Sequence, residues 1–245
     1  MALLISACGF TEPRKFVIIN ENCDTDGSFL ISSLIGQRLR QQSSAIVLIC
    51  CHQSLKFYET CGKKLGYNLI MSLNKKSLVV IDKLRDVSQM TANNLDPDKL
   101  MEQLYAEIYN NVNAFKSNGI KNISVIFDDL TFFSNLGCSE RELIRMSMKL
   151  HDLTKECNEL SVILKLGLSD LHQYLTNNIE DLSDVSITVE KFKSGDFWDV
   201  DGKLRIKKVK CENGIYVTES ERNLLYYVGD HNVKIIAPGE HGLKI

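Results

Sequence analysis

The chain has 245 residues, of which 44% are hydrophobic and 24% are charged, and its formal net charge is -2. This is the composition of an ordinary globular protein, and the length suits one α/β domain or one domain with a small appendage. The near-neutral charge excludes a general electrostatic attraction to nucleic acid, and no apolar run reaches the roughly 20 residues that cross a membrane.

The eight cysteines indicate a cellular compartment. None of them forms a C-x-x-C pair, so we expect no zinc site. We also expect no other bound metal in the chain. Unpaired thiols fit a reducing compartment, which predicts the cytoplasm or the nucleus. The apolar stretch at residues 1–9 lacks a basic segment, so we interpret it as a first helix turn or strand rather than a signal peptide.

Apolar runs and amphipathic segments alternate through the first part of the chain. Residues 16–19 are rich in β-branched side chains without a break, which is typical of a strand buried on both faces. Gly66 is placed to end a helix, because glycine readily adopts the left-handed conformation required there. The predicted elements are a strand at 16–19, a helix at 29–40, a strand at 45–50, a helix at 55–65 and a strand at 78–82.

The alternation continues in the middle of the chain, where the helix ends are marked by their residues. Asp96 and Pro97 suit the N-cap and first turn of a helix that Gly119 ends, and Ser139 with Glu142 forms a capping box. Strands are predicted at 123–127 and 162–166.

After about residue 184 the pattern changes to successive strand-like segments with short turns. We predict hairpin turns at Asp201-Gly202 and at Gly229-Asp230. The predicted strands are 185–192, 203–210, 223–228 and 233–236.

Together these elements predict an α/β fold with a parallel sheet and helices on both of its faces. The C-terminal strands are predicted to form an antiparallel β extension on one edge of that sheet. We therefore expect a single domain over residues 1–245, with a parallel core at 15–184 and the antiparallel extension at 185–245.

One motif suggests nucleotide binding. An apolar strand ends in Asp128 and Asp129, and far upstream a strand, a glycine-containing turn and a helix follow one another, which is the skeleton of a P-loop domain. The turn at residues 22–29 reads N-C-D-T-D-G-S-F, whereas a working loop reads G-x-x-x-x-G-K-[ST]. Asn22 replaces the first glycine, Ser28 replaces the lysine, Phe29 replaces the magnesium-binding hydroxyl, and Gly27 is retained.

These replacements remove the chemistry of the loop. The lysine carries positive charge to the terminal phosphates and the hydroxyl binds Mg²⁺. Asp24 and Asp26 add two carboxylates that would repel a triphosphate, and a helix N-terminus compensates with only about half a unit charge. We therefore predict a nucleotide-binding fold that does not hydrolyse nucleotide by itself and that carries no cofactor.

Asp128 has two interpretations. It could hold Mg²⁺ through water, as the acid of a Walker B strand does. Without a phosphate cradle that metal has little to bridge, which favours a structural position in which Asp128 is hydrogen-bonded to neighbouring loops.

The same turn partly matches a calcium-binding loop. Asn22, Asp24, Asp26 and Gly27 stand at ligand or turn positions of such a loop, but Ser33 occupies the position of its bidentate glutamate. The segment before the turn is predicted to be a strand and not a helix, so an EF-hand is not expected.

Basic residues cluster late in the chain, in two neighbouring predicted strands. Two explanations stay open: contact with the phosphates of RNA, and protection of an exposed sheet edge by lysine. The residues are Lys191, Lys193, Lys203, Arg205, Lys207 and Lys208, of which Lys203, Arg205 and Lys207 share one face of a strand by their period of two.

Five short segments carry a family resemblance. They are C-D-T-D-G-S-F-L at 23–30, Q-S-L-K-F-Y at 53–58, G-K-K-L-G at 62–66, F-D-D-L at 127–130 and D-V-D-G-K-L-R-I at 199–206. In combination they resemble the family of subunit 6 of the Elongator complex. The resemblance extends from about residue 16 to residue 237, and the segments 85–120 and 170–185 carry little of it.

The resemblance implies a RecA-like fold without intact Walker motifs. It also implies a hexameric ring with the related subunits 4 and 5, two copies of each, as an accessory part of Elongator, which modifies the wobble uridine at tRNA position 34. Such a ring binds tRNA, and ATP hydrolysis in it is linked to tRNA release, whereas the radical chemistry belongs to the catalytic subunit. The expected partners are therefore subunits 4 and 5, the remainder of Elongator and tRNA through the ring, with no membrane.

Two other functions stay open on the residues alone. One is an ATPase with an unconventional loop that uses Asp128 and Asp129 for Mg²⁺. The other is a stand-alone RNA-binding module that uses the basic strands. We interpret residues 167–190 as the loop that follows the fifth strand and that faces the pore in RecA-like rings. It contains no lysine or arginine and several acids, which argues against strong nucleic-acid binding there.

Overall fold

The computed structural model describes residues 2–8, 10, 15–89, 96–191, 200–212 and 215–236. In this part of the chain the strands form one nine-stranded sheet with the order β3-β2-β4-β5-β1-β6-β7-β8-β9. The strands are β1 (Phe16–Asn22), β2 (Ser44–Cys50), β3 (Leu78–Asp82), β4 (Asn122–Phe127), β5 (Leu160–Leu168), β6 (Val185–Glu190), β7 (Gly202–Glu212), β8 (Ile215–Val228) and β9 (Val233–Ile236).

Parallel pairing extends one strand further than the sequence predicts. Strands β1 to β6 are joined by parallel pairings, and β6 pairs directly with β1, for example Ile19 with Ile187. Antiparallel pairing begins only between β6 and β7. The predicted boundary at residue 185 is therefore wrong by one strand, because the apolar pattern of β6 marks a strand but not its direction.

Helices cover both faces of the parallel sheet, as predicted. Alternate residues of β1 point to opposite sides: Phe16 and Ile18 join the core beneath α6, α8 and α9, while Val17 and Ile19 join the core beneath α1, α2 and α3. The helices are α1 (Ala2–Ala7), α2 (Ser28–Arg40), α3 (Leu55–Leu65), α4 (Leu69–Asn74), α5 (Lys83–Gln89), α6 (Pro97–Ser117), α7 (Phe132–Asn135), α8 (Glu140–Glu156) and α9 (Gln173–Glu180).

The predicted helix ends rest on visible capping contacts. The Asp96 side chain accepts a hydrogen bond from the Lys99 backbone at the start of α6, and Ser139 and Glu142 form both bonds of a capping box at the start of α8. Gly66 ends α3 with a φ of 76°, a conformation that favours glycine. Within the described ranges, no helix combines the length and the apolar character needed to cross a membrane.

Several predicted details differ from the structure. The segment 167–190 contains a short 3-10 helix (Asp170–His172) and α9, and β8 begins well before residue 223. The hairpin turn predicted at Asp201-Gly202 is wrong, because residues 191–201 separate β6 from β7. The turn at Gly229-Asp230 does join β8 to β9, and the Gly229 N–H donates to the Asn232 carbonyl at 2.8 Å.

Candidate functional site

The degenerate loop lies between the end of β1 and the start of α2, where a P-loop would lie. Its own side chains hold it in place. The Thr25 hydroxyl donates to the carbonyls of Asn22 at 3.0 Å and Val189 at 3.2 Å, and the Ser28 N–H donates to Asp26 Oδ1 at 2.8 Å. The loop is therefore tied to β6 and to the first turn of α2.

The other residues of the loop differ in their surroundings. Asp24 and Asp26 are exposed, whereas Gly27 and Ser28 are buried. Phe29 is half-buried, and its ring stacks on Tyr226 with 4.8 Å between the ring centroids. The aromatic ring thus occupies the position at which a working loop carries its magnesium-binding hydroxyl.

A carboxylate of the chain itself occupies the cradle of this loop. Glu21 Oε2 accepts a hydrogen bond from the Gly27 N–H at 2.7 Å, and Glu21 Oε1 forms an ion pair with the ammonium of Lys165 on β5. The Lys165 side chain is fully buried, so its charge requires such a partner. In a working loop the corresponding N–H groups face phosphate oxygens. Glu21 therefore accepts the Gly27 N–H bond in the way that a bound anion would.

The close approach of Glu21 also explains why Gly27 is glycine. A Cβ added at this position would lie 3.2 Å from Glu21 Oε2 and 3.3 Å from Ile19 Cγ2. Even an alanine side chain would press on the carboxylate that fills the cradle.

The residues of the loop do not fit a magnesium nucleotide. The N–H groups of Gly27 and Ser28 already donate to Glu21 and Asp26, and Glu21 neutralises the nearest buried cation, Lys165. Exposed carboxylates beside the loop add repulsion between like charges. A triphosphate would have to displace a paired carboxylate from a buried position, which is energetically unfavourable.

Asp128 is buried at the end of β4 and is surrounded by hydrogen-bond donors. Its Oδ1 accepts from the N–H groups of Cys51 at 2.5 Å and His52 at 2.9 Å. Its Oδ2 accepts from the Gln53 N–H at 2.8 Å and the Tyr58 hydroxyl at 3.2 Å. These contacts are those of the structural interpretation, in which the carboxylate fixes the turn that follows β2.

Two influences on the pKa of Asp128 oppose each other. Burial raises the pKa of this carboxyl above its ordinary value, and the N–H groups of Gln53, Cys51 and His52 oppose that change because they stabilise the charged form. The charge of Lys165 also lowers the pKa of Asp128. Lys165 therefore acts on the acids of both β1 and β4, which is consistent with the position of β5 between these strands.

Asp129 bonds to the loop that follows β4. Its Oδ1 accepts from the Thr131 N–H at 2.8 Å and from the Thr131 hydroxyl at 2.5 Å. The Thr131 oxygen in turn accepts from the Gly167 N–H at 3.3 Å, which joins the ends of β4 and β5.

The predicted basic cluster is divided in the structure. Lys203 and Arg205 lie within 3.4 Å and 3.6 Å of the Glu190 carboxylate. Lys207 follows them on the same face of β7, paired across the strands with Ser186 and Glu221. The positive charge of this face is therefore partly compensated.

The remaining basic residues lie apart from that face. Lys191 is exposed just after β6, and Lys193 lies outside the described residues. Burial raises the pKa of Cys8, and the charge of Lys208 opposes this change. Cys8 belongs to the core on the opposite face of the sheet, so Lys208 lies near that face. Edge protection is the wrong explanation for the β7 lysines, because β7 is paired with β6 on one side and with β8 on the other and is not an edge strand.

Glu21 and Lys165 were not among the site residues predicted from the sequence. The available signal was a single lysine within the otherwise apolar run of β5 and a glutamate directly before the loop. A charged residue in a strand buried on both faces requires a partner, and the strand order supplies it.

The comparisons with known proteins agree with this architecture. The family model described as Elongation complex protein 6 matches residues 2–230. Elongator complex protein 6 of Drosophila melanogaster is 36% identical over 253 residues, which cover 99% of this chain and 98% of that protein.

A solved structure shows the same fold. A KaiC-like protein from the hyperthermophilic archaeon Pyrococcus horikoshii superposes with a TM-score of 0.64 and 13% identity, covering 91% of this chain and 89% of the other. The likeness at this identity concerns the fold alone, and it confirms the predicted RecA-like architecture.

Proposed function

Because the chain belongs to the Elongator complex protein 6 family, we propose that it is a non-catalytic RecA-like subunit of the Elongator accessory ring. In this proposal the ring is a hexamer with two copies each of subunits 4, 5 and 6. The ring supports tRNA binding during modification of the wobble uridine, and this chain contributes surface and geometry rather than a reaction step.

The observation that carries the non-catalytic part of the proposal is the internal pairing of the loop. Glu21 bonds to Gly27 and pairs with Lys165, while Asp128 accepts bonds from three backbone N–H groups and one hydroxyl. The groups that would hold phosphate and metal thus already hold the protein together. A chain built in this way keeps its fold without nucleotide.

The ring has a physical rationale. Head-to-tail contacts between similar domains form closed rings when the rotation between neighbours permits it. A subunit whose own loop has lost its chemistry can still present both faces that such a ring requires. It can also complete a nucleotide site that lies on a neighbouring subunit.

The same contacts weigh against the two competing functions. An ATPase that used Asp128 for Mg²⁺ would have to withdraw the carboxylate from its bonds to Cys51, His52 and Gln53. A stand-alone RNA-binding module on β7 would begin with its Lys203 and Arg205 already beside Glu190.

The proposal is tested by weighing the native complex. The chain is tagged, purified gently from its own cells and measured by native mass spectrometry, with its partners identified from their peptides. We expect a ring of six RecA-like chains with two copies of this one. A monomer, or a complex without related RecA-like chains, would overturn the ring.

A further inference from the structure

A second concave site lies beside the loop but does not include Glu21 or Lys165. It is a cavity of about 430 Å³ between α2, α3 and the β8–β9 hairpin, within the usual size range of ligand pockets. We call it the acidic aromatic cavity. Its lining includes Phe29, Phe57, Leu65, Tyr226 and Val233 as apolar surface, with Asp26, Asp201 and Asp230 as acids.

The apolar surface of the cavity is well ordered by packing. Phe29 and Tyr226 stack with an interplanar angle of 25°, and Tyr226 and Val233 belong to the core beneath α2 and α3. Flat, rigid rings of this kind attract planar groups, and they attract cations through the negative charge at the ring face.

Two of the three acids of the cavity are held by backbone N–H groups. Asp26 Oδ1 accepts from the Ser28 N–H at 2.8 Å, and Asp201 Oδ2 accepts from the Val228 N–H at 2.6 Å. Both aspartates are nevertheless exposed. Their carboxylates are thus fixed in position while remaining open to a ligand.

The field in the cavity is negative. Burial raises the pKa of Tyr226 to about 12, and the charges of Asp201, Asp26 and Asp24 act in the same direction. One lining cation, Lys64, lies 3.7 Å from Asp230, but both side chains of this pair are largely exposed and such pairs contribute little. The cavity therefore repels phosphate and attracts positive charge.

We infer that the acidic aromatic cavity receives an arginine side chain of another Elongator subunit. A guanidinium group is planar, stacks on aromatic rings and binds carboxylates through parallel hydrogen bonds, so it matches both the surface and the acids. An ammonium group would match the acids but would not stack.

The inference rests on the proposed function in one respect, since the occupant is a partner subunit in the assembled complex. It does not depend on which loops bind nucleotide or tRNA. Finding the hexameric ring with the cavity unoccupied would overturn this inference alone.

Site-directed cross-linking in the complex tests the inference. Val228 is exposed at the mouth of the cavity, and we would replace it with photoreactive benzoylphenylalanine. Irradiation of the purified complex should cross-link this position to one partner peptide, with an arginine within a few residues of the linked site. A linked peptide without arginine, or no linked peptide, would contradict the inference.

A native thiol provides a second readout. Cys61 lines the cavity and is half-buried, whereas Cys23 is exposed and does not line it, so Cys23 serves as the internal reference. We expect a maleimide to label Cys61 in the isolated chain and at least about tenfold more slowly in the complex. Equal labelling rates of Cys61 in the isolated chain and in the complex would overturn the inference. Protection of Cys61 without a cross-linked partner peptide would indicate a free small cation in the cavity, which also contradicts the inference.

A matched pair of variants separates charge recognition from loss of structure. In the double variant Asp26→Asn with Asp201→Asn, each asparagine keeps an oxygen that can accept its backbone hydrogen bond, while both negative charges are removed. This variant should weaken partner binding about tenfold and restore Cys61 labelling. The control, Asp152→Asn with Asp181→Asn, changes two exposed aspartates elsewhere and should have neither effect.

Discussion

Lys165 on β5 and Glu21 on β1 form an ion pair across adjacent parallel strands, with the lysine side chain fully buried. In a P-loop a lysine ammonium lies next to a phosphate of the nucleotide. Here a lysine ammonium lies next to a carboxylate of the same chain, beside the corresponding loop. The groups at the nucleotide-binding position of the fold therefore contribute to its stability.

The first prediction concerns this pair. Lys165→Met leaves the Glu21 carboxylate without its cation, and we expect it to lower the free energy of unfolding by about 3–5 kcal/mol. Adding Glu21→Gln removes the uncompensated charge and keeps an acceptor for Gly27, so the double variant should recover most of the loss. Urea unfolding of the wild type, Lys165→Met, Glu21→Gln and the double variant measures these free energies. Equal losses in Lys165→Met and the double variant would contradict the prediction.

A second prediction concerns Asp128. Asp128→Ala leaves three N–H groups and the Tyr58 hydroxyl without their partner, and we expect a loss of at least about 3 kcal/mol in unfolding free energy. Asp128→Asn retains one accepting oxygen and should lose about half as much. Chemical denaturation would show the order, and an unchanged stability of the alanine variant would refute the structural role.

A third prediction follows from the close packing around Tyr67. A Cβ added at Gly62 would lie 2.8 Å from both the ring and the backbone carbonyl of Tyr67, and the carbonyl cannot turn away as a side chain could. We expect Gly62→Ala to destabilise the protein by about 1–3 kcal/mol despite the better helix propensity of alanine. The neighbouring Cys61→Ala serves as the control in the same thermal unfolding experiment. A stability gain for Gly62→Ala would show that α3 and Tyr67 are not packed in this way.

A fourth prediction concerns acid sensitivity. Burial lowers the pKa of His151, whose ring packs edge-on against Phe16 at 5.4 Å. Because the unfolded chain binds this proton more readily, the stability contributed by His151 is present above its ordinary pKa of 6.5 and is lost as the pH falls below it.

His151→Gln should therefore flatten the fall in stability as the pH decreases below 6.5. Urea midpoints across this range provide the measurement, with the exposed His231→Gln as the control. Parallel curves for wild type and His151→Gln would show that the lowered pKa of His151 does not contribute to the acid sensitivity.

A fifth prediction concerns the basic face of β7. Replacing Lys203, Arg205 and Lys207 by glutamine should change the salt dependence of the proposed tRNA binding only slightly. The slope of log K against log salt should change by less than one phosphate contact, which corresponds to about 0.7–0.9. The reason is that Glu190 already compensates the first two charges. Anisotropy titrations at several salt concentrations would measure the slope. A variant with three exposed lysines of α3 and α8 changed serves as the control. A loss near three contacts would favour the RNA-binding module instead.

The local elements of the fold follow from the sequence because their signals are local. Asp96, Ser139 and Gly66 mark helix ends through bonds and backbone conformations within a few residues, and all three appear where predicted. The direction of β6 was not predictable in this way, since it depends on its pairing with β1, far away in sequence.

The candidate site was predicted in part for the same reason. The lost lysine and hydroxyl of the loop are visible as Ser28 and Phe29, because a motif fixes their positions. The partnership of Glu21 with Lys165 required the strand order, which places β5 beside β1. The donors to Asp128 likewise come from residues after β2, which the sheet brings to the end of β4.

If Glu21, Asp26 and Lys165 fill the nucleotide position of the fold, the purified chain should not bind Mg-ATP, and titration calorimetry measures this. We predict no saturable binding up to millimolar concentrations, and an ATP turnover of the proposed complex that Asp128→Asn leaves unchanged. Saturable one-to-one binding that Asp128→Asn abolishes, together with a matching loss of turnover, would instead establish this subunit as an ATPase.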